Sequence, residues 1–195
     1  MKLVPAPSQT VGPFFHYALD RPDWADLTHG GRANGERIRI AGTVRDGDGA
    51  LAPDILLEIW QANAAGRYDH PEDAQEKPLD PAFHGFGRVC TGKDGSYAFT
   101  TVKPGRVPGR GNTLQAPHIN MTVFARGLLR HLTTRVYFAD ETAANDADPV
   151  LGSIEDAAAR ATLLAPREAG RGGELPTYRF DIVLQGEGET VFFEI

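Results

Sequence analysis

Glycine and proline recur along this chain at short intervals, 22 and 14 of them in 195 residues, and they fence off runs no longer than a single β-strand. Gly supplies backbone angles that other residues avoid and Pro withholds a backbone donor, so a chain interrupted this often cannot build long helices. It is predicted to be strands joined by turns. Arg37 to Val44 (RIRIAGTV) alternates polar and apolar residues and runs into Asp46-Gly47-Asp48-Gly49, a hairpin-type turn signal. Ile55 to Trp60, Tyr97 to Val102, His118 to Ala125, Leu132 to Phe138, Tyr178 to Leu184 and Val191 to Glu194 are rich in β-branched and aromatic residues and read as further strands. About seven strands predict an all-β fold, a two-sheet β-sandwich.

Helical signal is confined to one place, where Ser153-Ile154-Glu155-Asp156 resembles an N-terminal cap before Ala157 to Leu164, with Pro166 as the stop. One short helix is therefore expected. Asn63 to Arg88 and Lys103 to Pro117 lack periodicity and read as long decorating loops, the usual carriers of function on a sandwich. Residues 1–36 form an N-terminal arm without periodicity, yet Phe14, Phe15, Tyr17 and Trp24 give it too much apolar surface to leave in water. Length sets a default of one domain over residues 1–195.

A formal net charge of −6 and the lack of a Lys/Arg stripe exclude nucleic acid as the main partner. No apolar run approaches the roughly 20 residues of a membrane helix, and Pro5, Pro7, Ser8 and Gln9 interrupt the only stretch where a signal sequence would lie. The chain is expected to be cytoplasmic. Cys90 has no partner cysteine and, beside Val89, reads as a small buried hydrophobe.

Five motifs stand out in order: Glu58-Ile59-Trp60-Gln61-Ala62-Asn63, Gly66-Arg67-Tyr68, Phe86-Gly87-Arg88, Lys103-Pro104-Gly105 and Pro117-His118-Ile119-Asn120. In this order and spacing the chain resembles the intradiol dioxygenases. The opening Pro7-Ser8-Gln9-Thr10-Val11-Gly12-Pro13-Phe14 is similar to the start of that family. The closing Gly186-Glu187-Gly188-Glu189-Thr190-Val191-Phe192-Phe193 is similar to the end of its protocatechuate-cleaving alpha chains.

The resemblance implies positions for two tyrosines and two histidines that bind ferric iron. They fall on Tyr68, Val107, His118 and Asn120, so only two are filled. His-X-His on a strand puts two imidazoles on one face; His118-Ile119-Asn120 keeps the spacing and loses a ligand. An amide is a poor donor to a transition metal and a valine methyl is none. The chain is expected to bind no metal, leaving all four as vestigial positions. The arginine that the family places three residues before the first histidine is Gln115, so that charge too is expected to be missing. Read without the resemblance, His118 is a hydrogen-bonded structural histidine, Tyr68 a packed phenol, and Glu58 and Trp60 plain strand residues.

What the resemblance leaves to such a chain is a wall. Thr10, Gly12, Pro13 and Arg126 match the residues that line the substrate pocket of an iron-binding beta chain, with protocatechuate and O2 as substrates and ferric iron in the partner. The implied reaction inserts both oxygen atoms between the hydroxyl-bearing carbons and yields 3-carboxy-cis,cis-muconate, in a higher alpha–beta oligomer. Arg126 is placed on the same strand as His118, eight residues on and roughly 27 Å away along an extended path, so it is separate from the vestigial metal positions. Two alternatives stay open: a metal-free sandwich module that binds proteins or sugars, and a self-sufficient ferric catechol dioxygenase, against which Val107 and Asn120 speak. Arg126 alone also fits a surface salt bridge, and Thr10 and Pro13 fit simple arm geometry.

Overall fold

The computed structural model describes residues 4–12, 14–168 and 173–194. In chain order its strands are β1 (Arg37–Arg45), β2 (Leu56–Trp60), β3 (Phe86–Cys90), β4 (Ser96–Val102), β5 (Val107–Pro108), β6 (Leu114–Gln115), β7 (His118–Phe124), β8 (Leu132–Phe138), β9 (Leu164–Ala165), β10 (Arg167–Glu168), β11 (Thr177–Arg179) and β12 (Ile182–Val183). One sheet runs β10-β11-β1-β12, with β4 along the other edge of β1; the second runs β3-β2-β7-β8-β9; β5 and β6 make a separate ribbon. The predicted β-sandwich is what forms.

Alternation on β1 buries Ile38, Ile40 and Val44 completely and turns Arg37, Arg39 and Arg45 outward. Leu57, Ile59, Ile119, Met121, Val123, Val136 and Phe138 of the second sheet join them in one apolar cluster. Truncating such a residue costs about 2–5 kcal/mol, because the removed methyl groups leave a cavity that the surrounding sheets close only in part. The opposite face of the second sheet carries His118, Asn120, Arg135 and Trp60, and the candidate site is built there.

Several expectations change. The Asp46–Gly49 turn forms, with Asp46 Oδ1 accepting from the N–H groups of Asp48 and Ala50 at 3.0 and 2.9 Å, but it closes only the Arg45–Leu51 bridge. It redirects the chain from one sheet to the other instead of joining a hairpin. The run expected from Tyr178 to Leu184 divides into β11 and β12, because the Thr43 N–H bonds Asp181 Oδ1 at 2.7 Å and so leaves the ladder at that point. Gly42 is required there: a β-carbon would overlap the Phe180 carbonyl oxygen.

Residues Val191 to Glu194 are not a strand. The segment's backbone bond to β8 runs from the Phe193 N–H to Thr133 O at 2.8 Å, while Val191 is held by side-chain hydroxyls, Thr134 Oγ1 donating to Val191 O at 2.7 Å and the Val191 N–H donating to Thr162 Oγ1 at 3.1 Å. Conversely, β3 pairs along its whole length with β2 and begins inside the stretch, Asn63 to Arg88, that reads as loop. Gly87 weakens its sequence signal, and it is small because Leu27 and Trp24 pack over it.

The predicted helix is α4 (Ala157–Ala161), capped by Asp156, and it stops early because Leu163 is fully buried and Leu164 enters β9. It is not alone: α1 (Phe15–Leu19), α2 (Thr142–Asp146) and α3 (Pro149–Gly152) are further short helices. The arm also divides. Residues 4–10 are exposed, whereas Leu27 and Ala33 belong to the core, and Trp24 lies against Phe86 and 4.5 Å from the Arg88 guanidinium.

Candidate functional site

Two regions hold the residues singled out from the sequence. The first is a cleft of about 640 Å³ over the outer face of the second sheet, walled by Trp60, Tyr68, His70, Gln75, Val107 and Pro108. Trp60 on β2 pairs with Asn120 on β7, which pairs with Arg135 on β8, so the three side chains stand in one row on one face. The Tyr68 ring stacks on Trp60 at 5.8 Å, and its hydroxyl accepts from Asn120 Nδ2 at 3.4 Å. Val107 is buried. All four vestigial positions therefore converge on this end of the sheet.

Their chemistry does not fit a ferric ion. Asn120 Nδ2 also donates to Trp60 O at 3.3 Å, which fixes the amide so that N–H, not a lone pair, faces Tyr68. Burial raises the Tyr68 phenol above its usual range, holding it protonated. His118 is 3% exposed, and its Nδ1 must donate to Ala116 O at 2.8 Å because a carbonyl only accepts. Burial first, and Arg135 second, push its pKa down to about 4. Val107 offers nothing. Among the described residues no group of three or more His, Cys, Asp or Glu could hold a metal ion.

A different arginine stands beside Gln115: Arg135 Nη1 donates to Gln115 Oε1 at 2.6 Å and to the Tyr137 hydroxyl at 3.3 Å. A fixed guanidinium beside Asn120 and His118 is itself a reason for a cation to avoid this place. Arg135 carries no sequence motif; only the pairing of β7 with β8 reveals it, and pairing is not readable from one sequence.

The second region lies at the far end of β7. Strand β7 stops at Phe124, so Arg126 sits beyond it in a turn, not on the strand as expected. Gly127 adopts φ +92°, which reverses the chain there. Thr10 clasps this turn: its Oγ1 accepts from the Gly127 N–H at 2.7 Å and donates to Ala125 O at 3.5 Å. The structure thus joins Thr10 and Arg126, two residues chosen on separate motifs. Gly12 is exposed, its carbonyl accepting from the Phe15 N–H at 3.3 Å, while Pro13 lies outside the described residues. Arg126 is 55% exposed and pairs with Asp54 Oδ2 at 3.2 Å. Beside the arm a half-open cavity of about 1000 Å³ is lined by Gln9, Val11, Phe124, Leu128, Leu132 and Phe192 among others.

Cys90 is half-buried, and burial pushes its thiol up to about 11, which suits the inert role expected of it. No helix among the described residues is long and apolar enough to cross a membrane.

A family model described as dioxygenase matches residues 11–186. The protocatechuate 3,4-dioxygenase alpha chain of Burkholderia cepacia is 46% identical, over 97% of this chain and 96% of its own. The protocatechuate 3,4-dioxygenase beta chain of the same organism is 38% identical, over 88% of this chain and 74% of its own. Among solved structures, the dioxygenase domain of a dioxygenase carbohydrate-binding protein fusion from Streptomyces sp. SirexAA-E superposes with a TM-score of 0.59 at 27% identity, over 94% of this chain and 99% of that one. The chain belongs to this dioxygenase family, and within it stands with the protocatechuate 3,4-dioxygenase alpha chains.

Proposed function

We propose that the chain is the alpha subunit of a heteromeric intradiol dioxygenase that, with a beta chain, cleaves protocatechuate with O2 to 3-carboxy-cis,cis-muconate. Ferric iron belongs to the beta chain in this reading, and the alpha chain supplies pocket wall, charge and assembly surface. The observation that carries it is the near-complete likeness to an alpha chain joined to a set of inherited ligand positions that cannot serve a metal. Residues 1–195 act as one domain with residues 1–36 as its arm, in the cytoplasm.

Within that reading Arg126 complements the substrate carboxylate. Its pairing with Asp54 is no obstacle, since an exposed ion pair is worth about 0–1 kcal/mol whereas a charge-assisted hydrogen bond in an enclosed site is worth about 1.5–3 kcal/mol. Thr10 fixes the turn that presents Arg126, and Gly12 carries the arm past the pocket. The test is to express the chain alone and with its beta partner, measuring iron per chain and oxygen uptake with protocatechuate. One iron per pair with activity, and neither in the lone chain, is the expected result. Near-stoichiometric iron and ring cleavage by the lone chain would overturn it.

A further inference from the structure

We propose that His29 and His84 form a two-imidazole site for a transition-metal dication of the Zn2+ type. Neither ring lines the cleft or the cavity described above. The two come from separate loops and stand 5.7 Å apart between ring centroids, at 77° to one another. Two imidazoles bonded to one ion at about 2.0–2.1 Å have centroids roughly 5–6 Å apart, so a turn of the exposed His29 ring brings a nitrogen of each onto a single ion.

The second observation is that His84 is already arranged as a ligand. Its Nδ1 lies 2.7 Å from Asp69 Oδ2 and must donate there, because a carboxylate only accepts. The neutral ring therefore keeps its lone pair on Nε2, and a carboxylate behind the other nitrogen is the arrangement that orients metal-bound histidines and raises their basicity. Both ring nitrogens of His29 are without a hydrogen bond among the described residues; only its carbonyl is engaged, by Arg32 Nε at 3.0 Å. Both backbones are also fixed in advance. His29 sits at φ +49°, a left-handed conformation, in a loop held by Asp26, whose carboxylate accepts from the Thr28 and Gly30 N–H groups at 2.9 and 3.1 Å. His84 lies between Phe83, which is buried, and Gly85, where a β-carbon would overlap Gln61 O. Asp80 joins the two loops, accepting from the Asn34 N–H at 2.7 Å and from the Ala82 N–H at 3.0 Å. No third His, Cys, Asp or Glu completes the set among the described residues, so water fills the remaining positions and the affinity is far below that of a closed structural zinc site. Imidazole donors suit Zn2+, Ni2+ and Cu2+ and not Mg2+, which takes oxygen ligands.

The experiment is calorimetric titration of the full chain, without any partner, with ZnCl2 and with MgCl2. Zn2+ is expected to saturate one site with a Kd on the order of 10–100 µM, and Mg2+ to show no binding up to about 5 mM. His29→Asn, which keeps a residue tolerant of the left-handed backbone, and His84→Gln should each weaken Zn2+ at least about tenfold. Asp69→Asn leaves both imidazoles in place and should still cost roughly tenfold. His131→Gln should leave the affinity unchanged. His29, His84 and Asp69 are exposed side chains, so each variant is expected to keep the parent Tm without metal and to lose the rise in Tm that Zn2+ gives the parent. Absence of saturable Zn2+ binding up to about 1 mM, equal binding of Mg2+, an affinity that survives loss of either imidazole, or one that falls in His131→Gln overturns the proposal. Ring cleavage enters none of these measurements, so the result stands apart from the alpha-subunit reading.

Discussion

The two ends of β7 are built on opposite plans. At its start, Asn120, His118, Tyr68 and Gln115 are hydrogen-bonded to groups of the same chain. At its end, the Arg126 turn is clasped by one threonine of an exposed arm, and Phe14, Tyr17 and Leu129 are 72, 74 and 63% exposed. A region satisfied from within has its role fixed by folding; a region held this lightly gains its role from what docks on it. In the proposed reading, the Tyr68–Asn120 end is the closed one and the Arg126 end is the working surface.

The largest effect that could break this comparison comes from deleting residues 1–13. The deletion removes both the Thr10 clasp and the wall, so it includes the loss of Arg126 placement and adds a loss of assembly. Activity of the reconstituted complex should fall on the order of 1,000-fold, with weaker association by sedimentation. A truncated chain that still forms a fully active complex with unchanged substrate affinity would reduce the arm to a tail.

A stability experiment probes the closed end. His118 has a folded pKa of about 4 against 6.5 unfolded, so below pH 6.5 the unfolded chain takes up a proton that the folded chain refuses. Stability is therefore full above pH 6.5 and declines as pH falls toward 4, by about 3 kcal/mol. Arg135, Tyr137 and Asp148 lie around the ring; the hydrogen bond to Ala116 O and the Asp148 charge oppose the shift without cancelling it. Urea midpoints between pH 7 and 4 should show this decline in the full chain and a flatter profile in His118→Gln. Equal slopes in both would mean that the imidazole is not held neutral.

Arg126→Ala comes next. Losing a charge-assisted hydrogen bond of about 1.5–3 kcal/mol should lower kcat/KM of the complex by roughly 10- to 100-fold with iron content constant. Unchanged kinetics would leave Arg126 as half of the surface pair with Asp54 and remove the main reason for placing this turn at the chemistry.

The sequence announces these regions unequally. Core strands such as Arg37–Arg45 and Leu132–Phe138 are legible because one face is buried and alternation survives. Strand β3 is hidden by Gly87, whose smallness serves Leu27 and Trp24 and not its own ladder. Val191 to Glu194 misleads in the other direction: its residues suit a strand, but hydroxyls of Thr134 and Thr162 take both backbone bonds of Val191, leaving only the Phe193 N–H on the β8 backbone among the described residues. At the site, Tyr68, Val107, His118 and Asn120 are found by motif because their spacing is inherited. Arg135 is not, since its meaning depends on which residue stands opposite it on β7, a fact of register and not of order.

The smallest effect sharpens the comparison most. Tyr68 stands where a ligand would be expected, yet its phenol is kept protonated by burial and meets Asn120 at 3.4 Å, a long hydrogen bond. Tyr68→Phe removes one hydroxyl, keeps the ring stacked on Trp60, and leaves Asn120 Nδ2 its bond to Trp60 O. Nothing buried is stranded, so stability should change by less than about 1 kcal/mol. Iron per alpha–beta pair should not change at all, because the substitution lies at the closed end while the proposed metal is on the partner. Metal analysis of the purified complex measures it directly. A proportional loss of iron in Tyr68→Phe would mean that the cleft still binds metal, and the contrast between the two ends of β7 would fail at the residue where it is most exposed to test.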